Sequence, residues 1–109
     1  MRGKDTIRTE YTAGQMIINS YVKELGFSSD LEVEFPPYRV DIYVMSLHAV
    51  VEYDGNHTFK SKDKRRDKFL MERYSLSVLR LTEFRPKEDV KSKLIFFFRD
   101  CAKKIEETK

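Results

Sequence analysis

Cysteine is almost absent from this sequence, with Cys101 standing alone. An internal disulfide and a multi-cysteine zinc site are therefore excluded, and a reducing compartment, the cytoplasm, is expected. No apolar run approaches the ~20 residues needed to cross a bilayer, so no membrane partner is expected. The opening stretch MRGKDTIRTEY carries basic residues with no apolar segment behind them and does not read as a secretory leader. Internal repeats, low-complexity tracts and linkers are also missing. So are the marks of a separate recognition element: a zinc finger, a helix-turn-helix or a long basic arm.

What is present is the material of one small domain, expected to cover 1–109. Apolar residues make up 40% of the 109, including eight Phe and six Tyr, which is enough to bury a real core. Net charge is only +3, but it is unevenly spread. The segment KSKDKRRDK (60–68) places Lys60, Lys62, Lys64, Arg65, Arg66 and Lys68 against Asp63 and Asp67. A local positive block suits an anionic partner, phosphate chains above all, although taken alone it fits a solvated helix face carrying internal ion pairs better.

Periodicity outlines the elements. TAGQMIINSYVKEL (12–25) has helical spacing, with Thr12 and Gln15 as a capping box and Gly26 as the stop. LEVEF (31–35) alternates and ends at Pro36 and Pro37; 38–44 and 49–54 read as two strands turning back through MSLH. A helix is expected over 62–74 with Phe69 and Leu70 inward, a strand over 77–81, and a last helix from near Pro86. Val90, Leu94, Phe97, Phe98, Cys101 and Ile105 form its apolar stripe, so Cys101 reads as core. Three consecutive phenylalanines, 96–98, cannot all face inward, and the outward one is a candidate homodimer contact. The resulting order, α-β-β-β-α-β-α, suits an α/β fold with a mixed sheet flanked by helices.

Within the two central strands, acids stand where apolar packing would stabilise the fold better. A hairpin turning between Ser46 and Leu47 sets Asp41 opposite Glu52 and Arg39 opposite Asp54 on one face. Val40, Ile42 and Val44 then lie on the other face with Val51 and Tyr53. Opposed carboxylates destabilise a sheet unless something neutralises them, and a hard divalent cation such as Mg²⁺ does so with one or two carboxylates plus water and phosphate. Gly55 permits a tight turn that returns His57 towards the acids, and the basic block begins at Lys60. The competing reading is a surface in which Arg39 pairs with one acid and the rest meet solvent.

These residues carry a family resemblance. YRVDIYV, then VVEYDGNHTF, then DKRRDKFLMERYSLSVLRLTE, resembles the Vsr-like branch of the PD-(D/E)XK nuclease superfamily over roughly 12–82. That branch includes very-short-patch repair endonucleases and phage homing nucleases. The matching pieces are Asp41 in a strand, Glu52-x-Asp54-Gly55-x-His57, a charged helix with Asp63, Arg66 and Asp67, and a strand ending Val78-Leu79-Arg80. The resemblance implies a restriction-endonuclease-like core and Mg²⁺-dependent cleavage of DNA phosphodiesters, with Mn²⁺ as a substitute, in a bacterial or phage-infected cell. It implies a catalytic set of Asp41, Glu52, Asp54, His57 and Gln15: Asp41 as principal metal ligand, Glu52 at the D/E position and Asp54 where many members have lysine as further metal ligands, and His57 as acid–base or water-orienting group.

Gln15 stands near where family members often carry a helical Glu; a Gln can hydrogen-bond a metal-bound water but adds no charge. Lys60, Lys62, Lys64, Arg65 and Arg66 are expected to neutralise flanking phosphates without reading bases. Three readings stay open: a DNA endonuclease or nickase, a catalytically weak or inactive DNA-binding module of the same fold, and a partner-binding domain with neither activity. For the first two, the alternatives are little sequence preference, specificity borrowed from a homodimer or a specificity partner, or a sequence that is a fragment of something longer.

Overall fold

Strands form where the sequence alternates or turns β-branched. In the computed structural model, which describes residues 2–55 and 61–107, with side chains from 13–55 and 63–107, the strands are Asp30–Phe35 (β1), Tyr38–Val44 (β2), Ala49–Tyr53 (β3) and Ser77–Leu81 (β4). They build one sheet in the order β1-β2-β3-β4. The first two pairings are antiparallel, β3 and β4 are parallel. A parallel neighbour requires a crossover, and helix Ser61–Tyr74 (α2) lies within it. Helix Arg2–Glu24 (α1) precedes the sheet and Lys87–Glu107 (α3) follows it.

Two apolar layers hold these parts. Ile18 and Val22 of α1 and Leu94, Phe98 and Cys101 of α3 pack on Ile42, Val44, Val51 and Tyr53. On the opposite face Leu70 of α2 and Leu76 pack on Val40 and Val50. The protein is thus α/β, a mixed four-stranded sheet between helices, and each fully buried Val or Leu contributes roughly 1.5–3 kcal/mol. In α3, Phe98 is buried, Phe97 partly so, and Phe96 points out at 72% exposure. Among the described residues no helix is long and apolar enough to cross a membrane.

The β2–β3 register has the expected phase: Ile42 faces Val51, Tyr43 faces Val50, Val44 faces Ala49. The turn is a 3-10 turn, Met45–Leu47, closed by His48 at φ 50. The other end of the hairpin departs from expectation. Val40 does not share a layer with Ile42 and Val44; it packs with Val50, Leu70 and Leu76. Strict alternation fails at Asp41, opposite Glu32, which is itself held at a left-handed φ of 54.

α1 starts at Arg2, not near residue 12, so Thr12 lies inside the helix and not at its N-cap position. Nothing in residues 4–13 breaks a helix, and Gly14 is tolerated for a tertiary reason. A Cβ there would collide with Cε2 of the Tyr53 ring, so only glycine lets α1 approach β3 this closely. The stop at Gly26 is as expected: with φ +97 it allows Phe27 N–H to reach Val22 O and its own N–H to reach Lys23 O. Gly14→Ala is expected to lower stability by about 1–3 kcal/mol, overpacking outweighing the better helix propensity of alanine. Urea denaturation measures this, and a gain in stability would show that the ring yields freely.

Candidate active site

A row of four charged residues crosses the sheet where it kinks. Glu52 is registered against Arg80. One step beyond the Ile42–Val51 pair, Asp41 stands opposite Glu52, and between the Leu31–Ile42 and Val33–Val40 pairs Glu32 stands opposite Asp41. The row therefore reads Glu32, Asp41, Glu52, Arg80 from β1 to β4.

At Asp41 and Glu52 the side chains take over from the backbone ladder. Asp41 N–H donates to Glu52 Oε2 at 2.9 Å, and Tyr53 N–H donates to Asp41 Oδ2 at 2.8 Å. Each carboxylate thus serves as acceptor for a main-chain N–H of the facing strand, which would otherwise be left unpaired in the interior. Both acids are buried, Asp41 8% and Glu52 1% exposed. Burial first, then the negative charge of Asp41, pushes Glu52 well above the usual carboxylate range, against the pull of Arg66. Burial also raises Asp41, aided by Glu32 and Asp54 and opposed by the Tyr53 N–H bond and Arg66.

Two arginines answer this charge in different ways. Arg80, itself 9% exposed, is gripped on both sides. Its Nη1 meets Asp54 Oδ2 at 2.7 Å, while Nε and Nη2 fork onto Asp67 at 3.2 and 2.6 Å. Asp63 lies 4.0 Å from Nη1. Burial disfavours its charge, but the bonds from Asp67 and Asp54 outweigh that and hold it cationic. Arg66 reaches Glu52 Oε1 at 3.1 Å and donates to Arg39 O at 2.6 Å, with its guanidinium over the Tyr38 ring.

Several expectations are relocated by this geometry. Arg39 does not face Asp54; it pairs with Glu34 on the neighbouring strand at 2.9 Å, both exposed, because β1 lies nearer than β3 there. Asp54 serves Arg80 instead of standing free beside Asp41 and Glu52. Gln15 is buried and its Nε2 donates to the main-chain O of Asp41 at 3.2 Å, so it braces the strand that carries the acid. Arg66 turns inward, while Lys64 and Arg65 remain on the exposed surface of α2. His57 and Lys60 lie outside the described residues, as does the side chain of Lys62.

Glu32 and the clamping role of Arg80 escape a reading of the sequence alone. The signal for Arg80 was present: a charge between Leu79 and Leu81 in an apolar strand, the same anomaly that marks Asp41.

Among the described residues no set of three or more His, Cys, Asp or Glu is arranged to hold a metal ion. A cation here would have Asp41 and Glu52 as its described protein ligands. Compared with known proteins, the chain matches no family model, no curated protein and no solved structure.

The raised carboxyls set a pH dependence. A carboxyl whose folded pKa exceeds its unfolded value binds more protons in the folded state, so its contribution is full at acid pH and is lost as pH rises through the folded value. In EDTA the melting temperature is expected to fall between about pH 5 and about pH 9, and Glu52→Gln is expected to flatten the fall. Thermal melts across that range check it; a wild-type curve rising with pH would show that the pair is not strained by its charge.

Proposed function

We propose that the chain is a Mg²⁺-dependent endonuclease or nickase acting on DNA phosphodiesters, built on a core of the PD-(D/E)XK kind in its Vsr-like branch. The observation that carries this reading is the Asp41–Glu52 pair, two buried acids on adjacent strands, each fixed by a backbone N–H of the other strand. Evolution of a merely stable sheet would not favour two buried like charges side by side. The donor set fits a hard cation: carboxylate oxygens, already oriented, in a neighbourhood where Asp41, Glu52, Asp54, Asp63 and Asp67 outnumber Arg66 and Arg80. Mg²⁺ needs only one or two protein carboxylates, and Mn²⁺ accepts the same ligands.

When bound, such an ion supplies Lewis acidity towards a phosphoryl oxygen and acidifies bound water. The chain's own residues supply the rest. Asp41 and Glu52 hold the ion, Gln15 fixes the strand under Asp41, and Arg80 fixes Asp54 beside them. Lys64 and Arg65, exposed on α2, draw the DNA backbone in. His57 is assigned the proton transfer, as the group in this motif able to accept or donate near neutral pH.

Supercoiled plasmid incubated with Mg²⁺ tests the activity: conversion to nicked or linear form that stops in EDTA is the expected result. Gln15 in place of the family's Glu favours a second reading, DNA binding without cleavage. Intact plasmid, together with an EDTA-resistant gel shift that weakens steeply with salt, would select it.

A further inference from the structure

We propose that Arg66 and a divalent cation compete for Glu52 Oε1, so that metal loading displaces the guanidinium from Glu52 and turns it towards the bound phosphate. The inference rests on the metal-site reading above and adds a moving cation to it. Three observations carry it. First, Arg66 Nη2 lies 3.1 Å from Glu52 Oε1, where one positive charge already offsets the buried acid. Second, Arg66 Nε is buried with no hydrogen-bond partner, the one such side-chain atom among the described residues. Buried donors are nearly always paired, so this side chain sits where its bonding needs are only partly met.

Third, the neighbouring arginine gives the contrast. Arg80 has Nε, Nη1 and Nη2 all engaged and is 9% exposed, whereas the side chain of Arg66 is 22% exposed and, besides Glu52, is held by Arg39 O and the Tyr38 ring, neither of which is an opposite charge. Arg80 is built to stay and Arg66 is able to leave. A divalent ion on the same carboxylate would repel the guanidinium at close range. A guanidinium cannot act as a base at any working pH, so its use after displacement is to bind phosphate oxygens.

Calorimetric titration of Mg²⁺ into wild type, Arg66→Ala and Arg66→Lys tests the competition. Arg66→Ala is expected to bind Mg²⁺ about tenfold more tightly, a competing charge having been removed, and to nick plasmid at least about tenfold more slowly. Arg66→Lys should fall between the two on both measures. In the wild type, the Arg66 Nε–H resonance is expected to shift and exchange faster with solvent on Mg²⁺ addition, while that of Arg80 stays put. Unchanged or weaker Mg²⁺ binding by Arg66→Ala, or an unmoved Arg66 Nε–H at saturating Mg²⁺, overturns the competition and leaves the metal site standing. Absence of Mg²⁺ binding in wild type and Arg66→Ala alike overturns both.

Discussion

Asp41→Asn is expected to slow Mg²⁺-dependent plasmid nicking by at least about a thousandfold while leaving the fold intact. The size follows from the role proposed for Asp41 as principal metal ligand: its loss would remove several kcal/mol of charge stabilisation at the reacting phosphate. Retention of the fold follows from the geometry. Asp41 Oδ2 accepts Tyr53 N–H, and the amide oxygen of an asparagine accepts the same bond in the same volume. The substitution also removes one of two buried negative charges, so at alkaline pH in EDTA the variant should be no less stable than wild type. Nicking rates and urea denaturation curves, taken on the same preparations, separate the two effects. Undiminished nicking would place the reaction elsewhere in the chain.

Arg80→Met is expected to cost about 3–5 kcal/mol of folding stability, the largest single loss among the described charged residues. The guanidinium ties β4 to β3 through Asp54 and to α2 through Asp67. Its removal leaves Asp54 and Asp67 without the cation that holds them, with Arg66 on Glu52 as the remaining arginine of the cluster. Arg80→Lys should rescue only part of the loss, because one ammonium cannot reproduce a fork that engages Nε and both Nη atoms. Denaturant midpoints measure this; an Arg80→Met protein within about 1 kcal/mol of wild type would mean that the cluster is solvated and contributes as little as a surface ion pair.

Much of the site could be read from alternation alone. A one-residue slip of the hairpin would have moved Ile42, Val44 and Val51 out of the core, so the register with Ile42 against Val51 was strongly specified, and Asp41 opposite Glu52 came with it. What alternation could not reveal was the break in its own rule. Val40 changes layer because the strands kink where Glu32 adopts a left-handed backbone and two carboxylates replace ladder partners, a tertiary compromise among charged groups. The helix start was misplaced for a similar reason. Thr12 and Gln15 have the spacing of a cap, and Gly14 between them looks like punctuation, yet that glycine answers to the Tyr53 ring 39 positions away. Arg66 and Arg80 likewise look alike in sequence, and only the placement of α2 over the sheet gives one an incomplete shell and the other a full one.

The proposed nuclease stands or falls on whether Asp41 and Glu52 together hold a divalent cation. Crystals soaked in Mn²⁺ and measured at a wavelength sensitive to its anomalous scattering test this most directly. One peak is expected within bonding distance of both carboxylates, absent from crystals of Asp41→Asn. A peak elsewhere, or none between these two side chains at tens of millimolar Mn²⁺, would contradict it.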